Sequence, residues 1–322
     1  MNLLNLRKHA LTALLTLVAG PVLGGQTMNF SGGPEDTRWA LSGNVFSCRF
    51  EQPLPGYGRA VFYQRAGEDV QFRLEADRNL MANTLAQVSI APAPWQPSVR
   101  SEPLGVARVA DGTPVLSLDF GRSNQFMHAL REGRMPTISH QTYYDADRFI
   151  QVQVSAVQFE KAFQDFLLCE DQLLKVNFDQ VARTKVHFKT GQEAVSLDDL
   201  RQIDQIIYYI KSDPRVTAVY LDGHTDNVGR RYDNRQISKR RVEAVERYFI
   251  DNEIDPEMIT TRFHGGRYPV ANNNTAKGRA ENRRVTIRLE MDEDIPLPDN
   301  LVFQLPEDAF VAPTLSLPVS SR

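Results

Sequence analysis

The chain has 322 residues, of which 42% are apolar and 24% charged, and a formal net charge of −3. At roughly 100–200 residues per domain this length holds two domains with real cores, and the composition excludes a wholly disordered, fibrous or membrane-embedded chain. The near-neutral balance excludes a generic nucleic-acid binder.

Residues 1–25 have the layout of a secretory signal. Arg7, Lys8 and His9 form a basic head, Ala10 to Leu23 carries no charge, and Gly20, Gly24 and Gly25 supply small residues for a peptidase. A membrane anchor needs about 20 apolar residues, and Pro21 with the glycines interrupts the run. An uncleaved anchor is the alternative. The absence of cysteine before Cys48 argues against lipidation, so export as a soluble protein is expected. Cys48 and Cys169 both survive export, and an oxidising compartment favours pairing them. Such a bond, across 121 positions, would pin the two ends of a first domain. Two buried free thiols are the alternative.

From about Thr37 to Ser155 the pattern is strand-like. Val70, Phe72 and Leu74 alternate with polar neighbours, as do Ile150, Val152 and Val154, which predicts sheets with one wet face. Turn residues such as Pro53 to Gly58 and Asp111-Gly112 separate further short runs, and one helix is expected near Asn124 to Arg131. The runs are too short for an outer-membrane barrel. Phe159 to Leu174 is predicted helical.

Beyond about Asn177 strand and helix alternate. Val186 and Phe188 predict a strand ending at Gly191. Leu200, Ile203, Ile206, Ile207 and Ile210 form one face of a helix that starts after Ser196 and stops before Pro214. A strand over Val216 to Leu221, a helix over Arg235 to Asp251, and strands over Ile259 to Phe263 and Val285 to Leu289 complete a β/α/β/α/β/β order. The fold class is α+β: an antiparallel β-rich domain over 26–175, then helices packed on one mixed sheet over 176–290. Residues 291–322, with five prolines from Pro296 to Pro318, are expected to form a flexible tail.

The chemistry concentrates between Asp222 and Arg241. Ile237, Arg241, Val245 and Phe249 recur along one helical stripe, so Arg241 faces the sheet, where a guanidinium needs an anionic partner. Asp226, at the end of the second strand, is the available one. A plain buried pair is one reading. The other is a zwitterion site, in which Asp226 accepts from a ligand ammonium and Arg241 forks onto a ligand carboxylate. Ser238, with amides near Ile237 in the first helical turn, would add donors. No metal site is expected, since neither His187 nor His264 has ligand spacing to His224. No nucleophile motif supports hydrolysis. The basic set from Arg230 to Arg240 is read as a solvated helix face, and no nucleic acid or cofactor is expected.

The run Gly223-His224-Thr225-Asp226, then Gly229, then Asn234-Arg235-Gln236-Ile237-Ser238 through Arg241 to Val245, resembles the OmpA-like peptidoglycan-binding domain. Gly265-Gly266, Pro269, Asn272, Gly278-Arg279 and Asn282-Arg283-Arg284-Val285 agree with it, over about residues 183–290. Departures at Ile237, Val242 and Phe249 are all apolar. The resemblance implies that Asp226 and Arg241 hold the amine and carboxylate of the diamino acid in the peptide stem of peptidoglycan. Thr225, Asn234, Ile237 through its amide, and Ser238 would frame the pocket, with Asn282 and Arg283 at its border. Such domains bind and do not cleave.

The whole layout resembles the MotY family of periplasmic flagellar motor proteins. This implies that the first domain joins a ring (the T ring) around the basal body and recruits or steadies the stator, while the second ties that ring to the wall. A stator B subunit would need a full transmembrane helix with an acidic residue. Another exported tether with the same anchor is the alternative, as is a wall-targeted hydrolase. The hydrolase would need a nucleophile or metal set in residues 26–175, where His128 and His140 stand without partner spacing.

Overall fold

The computed structural model describes residues 26–304, apart from positions 34, 36, 82, 83, 97 and 146, together with residues 312–313. The expected signal sequence lies outside the described residues. The first part of the chain runs β1 (Gln26–Ser31), β2 (Ala40–Asn44), β3 (Ser47–Leu54), β4 (Gly58–Arg65), β5 (Gln71–Ala76), β6 (Leu85–Ala91), β7 (Glu102–Arg108), β8 (Leu116–Leu118), α1 (Phe120–Arg131), β9 (Met135–Gln141), β10 (Arg148–Gln153) and α2 (Phe159–Asp171).

Two sheets result, β1-β10-β9-β6-β7 and β2-β3-β4-β5-β8. All neighbours in them are antiparallel except β1, which runs parallel to β10. The period-2 patterning places Phe72 and Leu74 inside, while Gln71, Arg73 and Glu75 face outward. On the outward side Arg49 forks onto Glu75 at 2.8 and 2.6 Å. Between the sheets and the two helices lies an aromatic core of Trp39, Phe50, Phe62, Phe72, Phe126, Phe159 and Phe166. Neighbouring rings in it stand 4.6 to 6.4 Å apart, the range of favourable stacked and edge contacts. Cys48 of β3 and Cys169 of α2 form a disulfide with 6.1 Å between their Cα atoms. The bond fixes α2 to the sheet and removes the free-thiol alternative.

The second part runs α3 (Phe178–Val181), β11 (Arg183–His187), α4 (Leu197–Ser212), β12 (Val216–His224), α5 (Arg231–Asp251), β13 (Ile259–Gly265), α6 (Ala276–Asn282) and β14 (Arg284–Met291). The sheet order is β11-β14-β12-β13, with β12 and β13 parallel and the other pairs antiparallel. The class is α+β, with α4 and α5 packed on this mixed sheet. Ser196 caps α4 by accepting from the Asp199 amide at 3.2 Å, and Ile203, Ile206, Ile207 and Ile210 are buried as the spacing predicts. Gly223 lies where β12 meets α5: a Cβ there would come within 2.6 Å of the Ser238 carbonyl oxygen and of Val242.

Two departures from the sequence reading concern the site. The helix expected from Arg235 begins at Arg231, because Gly229 turns the chain at φ 95° and the Arg230–Asp233 ion pair (3.0 Å) steadies the first turn. The short α6 was not expected, having no apolar period; Thr275 starts it by accepting from the Gly278 amide at 3.0 Å.

The two parts share a packed boundary. Ala66, Leu174 and Val176 belong to the core of the second part, with Val45 and Phe46 against it. The Phe46 ring lies 6.0 Å from Tyr209 and 4.9 Å beneath the Arg215 guanidinium. Asn177 donates to the Ala66 carbonyl at 3.0 Å, and Arg65 pairs with Asp179 at 2.6 Å.

The described start of the Pro-rich segment is held to the first part rather than free of it. After a 3-10 turn at Asp299–Leu301, the Leu301 carbonyl accepts from the Val45 amide at 3.1 Å and the Phe303 amide donates to Gly43 at 2.9 Å. A two-residue strand, β15 (Ala312–Pro313), runs parallel to β2. The reason is the edge of β2, whose backbone groups otherwise lack strand partners on that side.

Breaking the disulfide by Cys48→Ala with Cys169→Ala is expected to lower unfolding stability by about 2–4 kcal/mol, since it releases a very long loop in the unfolded chain. Urea unfolding of the oxidised protein and the double variant measures this.

Candidate functional site

A cleft of about 510 Å³ opens where the end of β12 meets the first turns of α5. Thr225, Asp226, Asn234, Ile237, Arg241 and Arg283 line it, with Thr190, Gly191, Val228 and Arg279. The Thr225 amide donates to the Gly265 carbonyl at 2.9 Å, so the β12–β13 pairing holds the chain up to the point where Asp226 turns into the cleft.

Asp226 is 8% exposed. One of its oxygens accepts from the Val228 amide at 3.1 Å, and the other from Arg283 Nη1 at 2.9 Å. Arg283 is oriented in turn by its Nε, which donates to the Phe188 carbonyl at 3.0 Å.

Arg241 is 1% exposed and has a different environment from the one the sequence suggests. Asp226 pairs with Arg283, not with Arg241. The Arg241 guanidinium donates to the carbonyls of Gln192 (2.9 Å), Lys189 (3.4 Å) and His224 (3.5 Å), and lies 4.9 Å from the Phe188 ring. Burial, and then the charge of Arg283, push its pKa down to about 10, against the pull of Asp226 and Glu193. It therefore stays charged at neutral pH, held by carbonyl dipoles and facing no carboxylate in direct contact. The charged lining is three guanidiniums, Arg241, Arg279 and Arg283, against one carboxylate, which leaves a cationic excess that a ligand anion would offset.

Not every expected residue reaches this cleft. Ser238 is fully buried, donating to the Arg235 carbonyl at 2.8 Å and accepting from the Gly265 amide at 3.1 Å, so it ties α5 to β13. Asn282 is also fully buried and clamps the 270–271 backbone by accepting from Val270 (2.8 Å) and Ala271 (3.1 Å). Ile237 presents its side chain to the cleft. Its amide, expected in the first turn, sits inside a helix that begins at Arg231 and belongs to the i→i−4 ladder, so it offers no donor. Asn234 lines the wall while its amide nitrogen holds the loop by donating to the Val228 carbonyl at 3.0 Å.

The sequence reading missed the wall contributed by residues 188–192. Its contribution is mainly backbone carbonyls, which no side-chain pattern announces. Arg279 was legible as a motif landmark only. Behind the cleft His224 stacks on His264 at 4.8 Å, and His264 pairs with Asp222 at 2.9 Å. Burial, and then Arg284, push the His224 pKa down to about 4. Among the described residues no group of three or more His, Cys, Asp or Glu is placed to hold a metal ion.

Comparison with known proteins matches residues 30–175 to the MotY N-terminal domain and residues 187–283 to the OmpA family. The chain is 27% identical to the sodium-type flagellar protein MotY of Vibrio parahaemolyticus over 80% of its own length and 88% of that protein. It is 37% identical to outer membrane protein A of Bordetella avium over 27% of its length, and 30% identical to the peptidoglycan-associated lipoprotein of Pseudomonas putida over 33%. It spans 44% and 63% of the lengths of those two proteins. The chain thus joins a MotY N-terminal domain to an OmpA-family domain and is a homologue of MotY.

Folded His224 takes up a proton only near pH 4, whereas the unfolded side chain does so near 6.5. The unfolded state therefore binds more protons between these values, and stability is expected to fall as pH drops from 6.5 towards 4. Urea midpoints at neutral and mildly acidic pH test this, and His224→Gln is expected to flatten the fall.

Proposed function

We propose that this protein is a periplasmic component of the flagellar motor that binds peptidoglycan through its OmpA-like domain and meets other motor parts through its MotY N-terminal domain. The observation that carries the wall-binding reading is Arg241, a buried charged guanidinium that lines an open cleft without a carboxylate partner. A ligand carboxylate would complete it with a charge-assisted fork, about twice as strong as a neutral hydrogen bond. Across the same cleft Asp226 accepts from the ligand ammonium. The two groups together select a molecule bearing both charges, and the diamino acid of the peptidoglycan stem is the one an exported wall-associated protein meets. Thr225 and Ile237 contribute the wall around it, and Arg283 holds the Asp226 carboxylate in place by its hydrogen bond at 2.9 Å.

The domain binds and the protein is not an enzyme. Its role is mechanical, in that the wall-bound domain gives the motor a fixed frame and the first domain joins a ring at the basal body and helps recruit or stabilise stator units. The shared boundary of Phe46, Tyr209 and Arg215 supports this role, because it couples the two domains by packing rather than through a loose linker.

Asp226→Asn and Arg241→Lys are each expected to reduce pulldown by purified sacculi at least about tenfold, by the energy of one charge-assisted bond, with circular dichroism unchanged. Pulldown equal to the unaltered protein overturns the site. Deleting the protein from its cell is expected to leave flagella assembled but weakly turning, and normal swimming speed would remove the motor role.

A further inference from the structure

The surface by which the first domain meets a partner is unassigned, and the helical side of the sandwich carries a groove suited to that task. We propose that the trough between α1 and α2 docks a cationic amphipathic helix of a partner protein. This deepens the partner-binding role given above to the first domain and rests on it.

Two confluent depressions of about 370 and 400 Å³ share Gln64, Leu167 and Glu170. The deeper part lies between Phe120, Asn124 and Met127 of α1 and Phe163, Leu167 and Glu170 of α2. Each set is spaced i, i+4, i+7, so each helix presents one straight ridge, and the furrow between two such ridges is the shape that receives a third helix. Part of its apolar lining is exposed, Phe120 at 47% and Leu167 at 38%, above a floor of the buried Val70, Met127 and Phe166. Large side chains exposed together at this level mark an interaction site more often than chance surface.

The charge at one end identifies the occupant. Asp69, Glu170 and Asp171 stand around the mouth beside Glu68, and the first three have no hydrogen-bonded or ion-paired partner among the described residues. Glu170 and Asp171 lie in the last turn of α2, where the helix dipole disfavours negative charge and no basic residue stands; Lys175 also lines the mouth, one cation against the four acids. At the opposite end the acid Glu160 is already matched by Arg131 at 2.8 Å, and that guanidinium lies over Phe163 at 5.6 Å. The groove therefore has an apolar floor, a neutralised end and an acidic end. It fits a helix with bulky apolar residues at i, i+4 and i+7 and Lys or Arg at one terminus. The Cys48–Cys169 bond holds the α2 wall in place.

The test uses the full mature chain and a fluorescein-labelled 18-residue helical peptide with leucines along one face and lysines at one end. Fluorescence anisotropy is expected to show saturable binding, weakened at least tenfold by Leu167→Glu and by Glu170→Lys with Asp171→Lys. The double charge reversal is expected to prefer the same peptide with glutamates for lysines. These side chains face solvent, so melting midpoints and sacculus pulldown are expected to stay unchanged, which separates failure of the groove from failure of the wall site. Absent binding, or binding indifferent to charge reversal, overturns the proposal. So does sedimentation showing a dimer that Leu167→Glu dissolves, since the occupant is then a second copy. In cells, the Leu167→Glu protein is expected to be wall-bound yet to swim as poorly as the deletion, and normal swimming overturns the groove's role.

Discussion

A guanidinium in a protein interior needs hydrogen-bond acceptors on every side it shows to the protein, and the way Arg241 meets that need shapes the second domain. Its partners are carbonyl oxygens of Gln192, Lys189 and His224, from two separate stretches of backbone, with the Phe188 ring alongside. Carbonyl dipoles hold the group in place without cancelling its charge. A carboxylate in contact would have cancelled it, leaving a stable pair and little reason to bind anything. The second guanidinium, Arg283, takes the carboxylate instead, so opposite charges stand in one cleft without closing on each other. The loop over 188–192 supplies two of those carbonyls, and Gly223 lets α5 lie close against β12.

The same economy appears in the first domain. Its core is a stack of aromatic rings shared by two sheets and two helices, with the Cys48–Cys169 bond tying one of those helices to a sheet. Its helical surface is left with apolar side chains and unmatched acids. Groups that would be costly in a free-standing domain persist on this face, on the helix that the disulfide ties to the sheet. The boundary between the domains is built the other way, with buried rings and matched charges. The two domains thus meet through packed contacts rather than through a loose linker.

Much of this was legible in the residues. The isoleucine stripe of α4, the alternation of β5 and β10 and the paired cysteines each follow from a period or a compartment, and the motif from Gly223 to Arg241 placed the cleft. What was not legible has a common cause. Residue type points Arg241 to an acidic side chain, whereas its partners are backbone carbonyls whose placement no side-chain pattern announces. The apolar stripe begins α5 four residues late because Arg231, Tyr232 and Asp233 add nothing to it. Ser238 and Asn282 sit in the motif for packing reasons, since both are buried and spend their hydrogen bonds on the backbone.

The sequence alone determined the main strands and helices of the second part, their order and the charged residues that gather in the cleft, because periodicity, turn chemistry and residue type are local properties. Tertiary structure decided which charge meets which. Whether Asp226 contacts Arg241, 15 positions on, or Arg283, 57 positions on, depends on how the end of β12, α5 and the residues after α6 come together, and the choice decides between a closed ion pair and an open cleft. The groove of the first domain is likewise set by the placement of two helices, and the furrow between them exists only once they are packed.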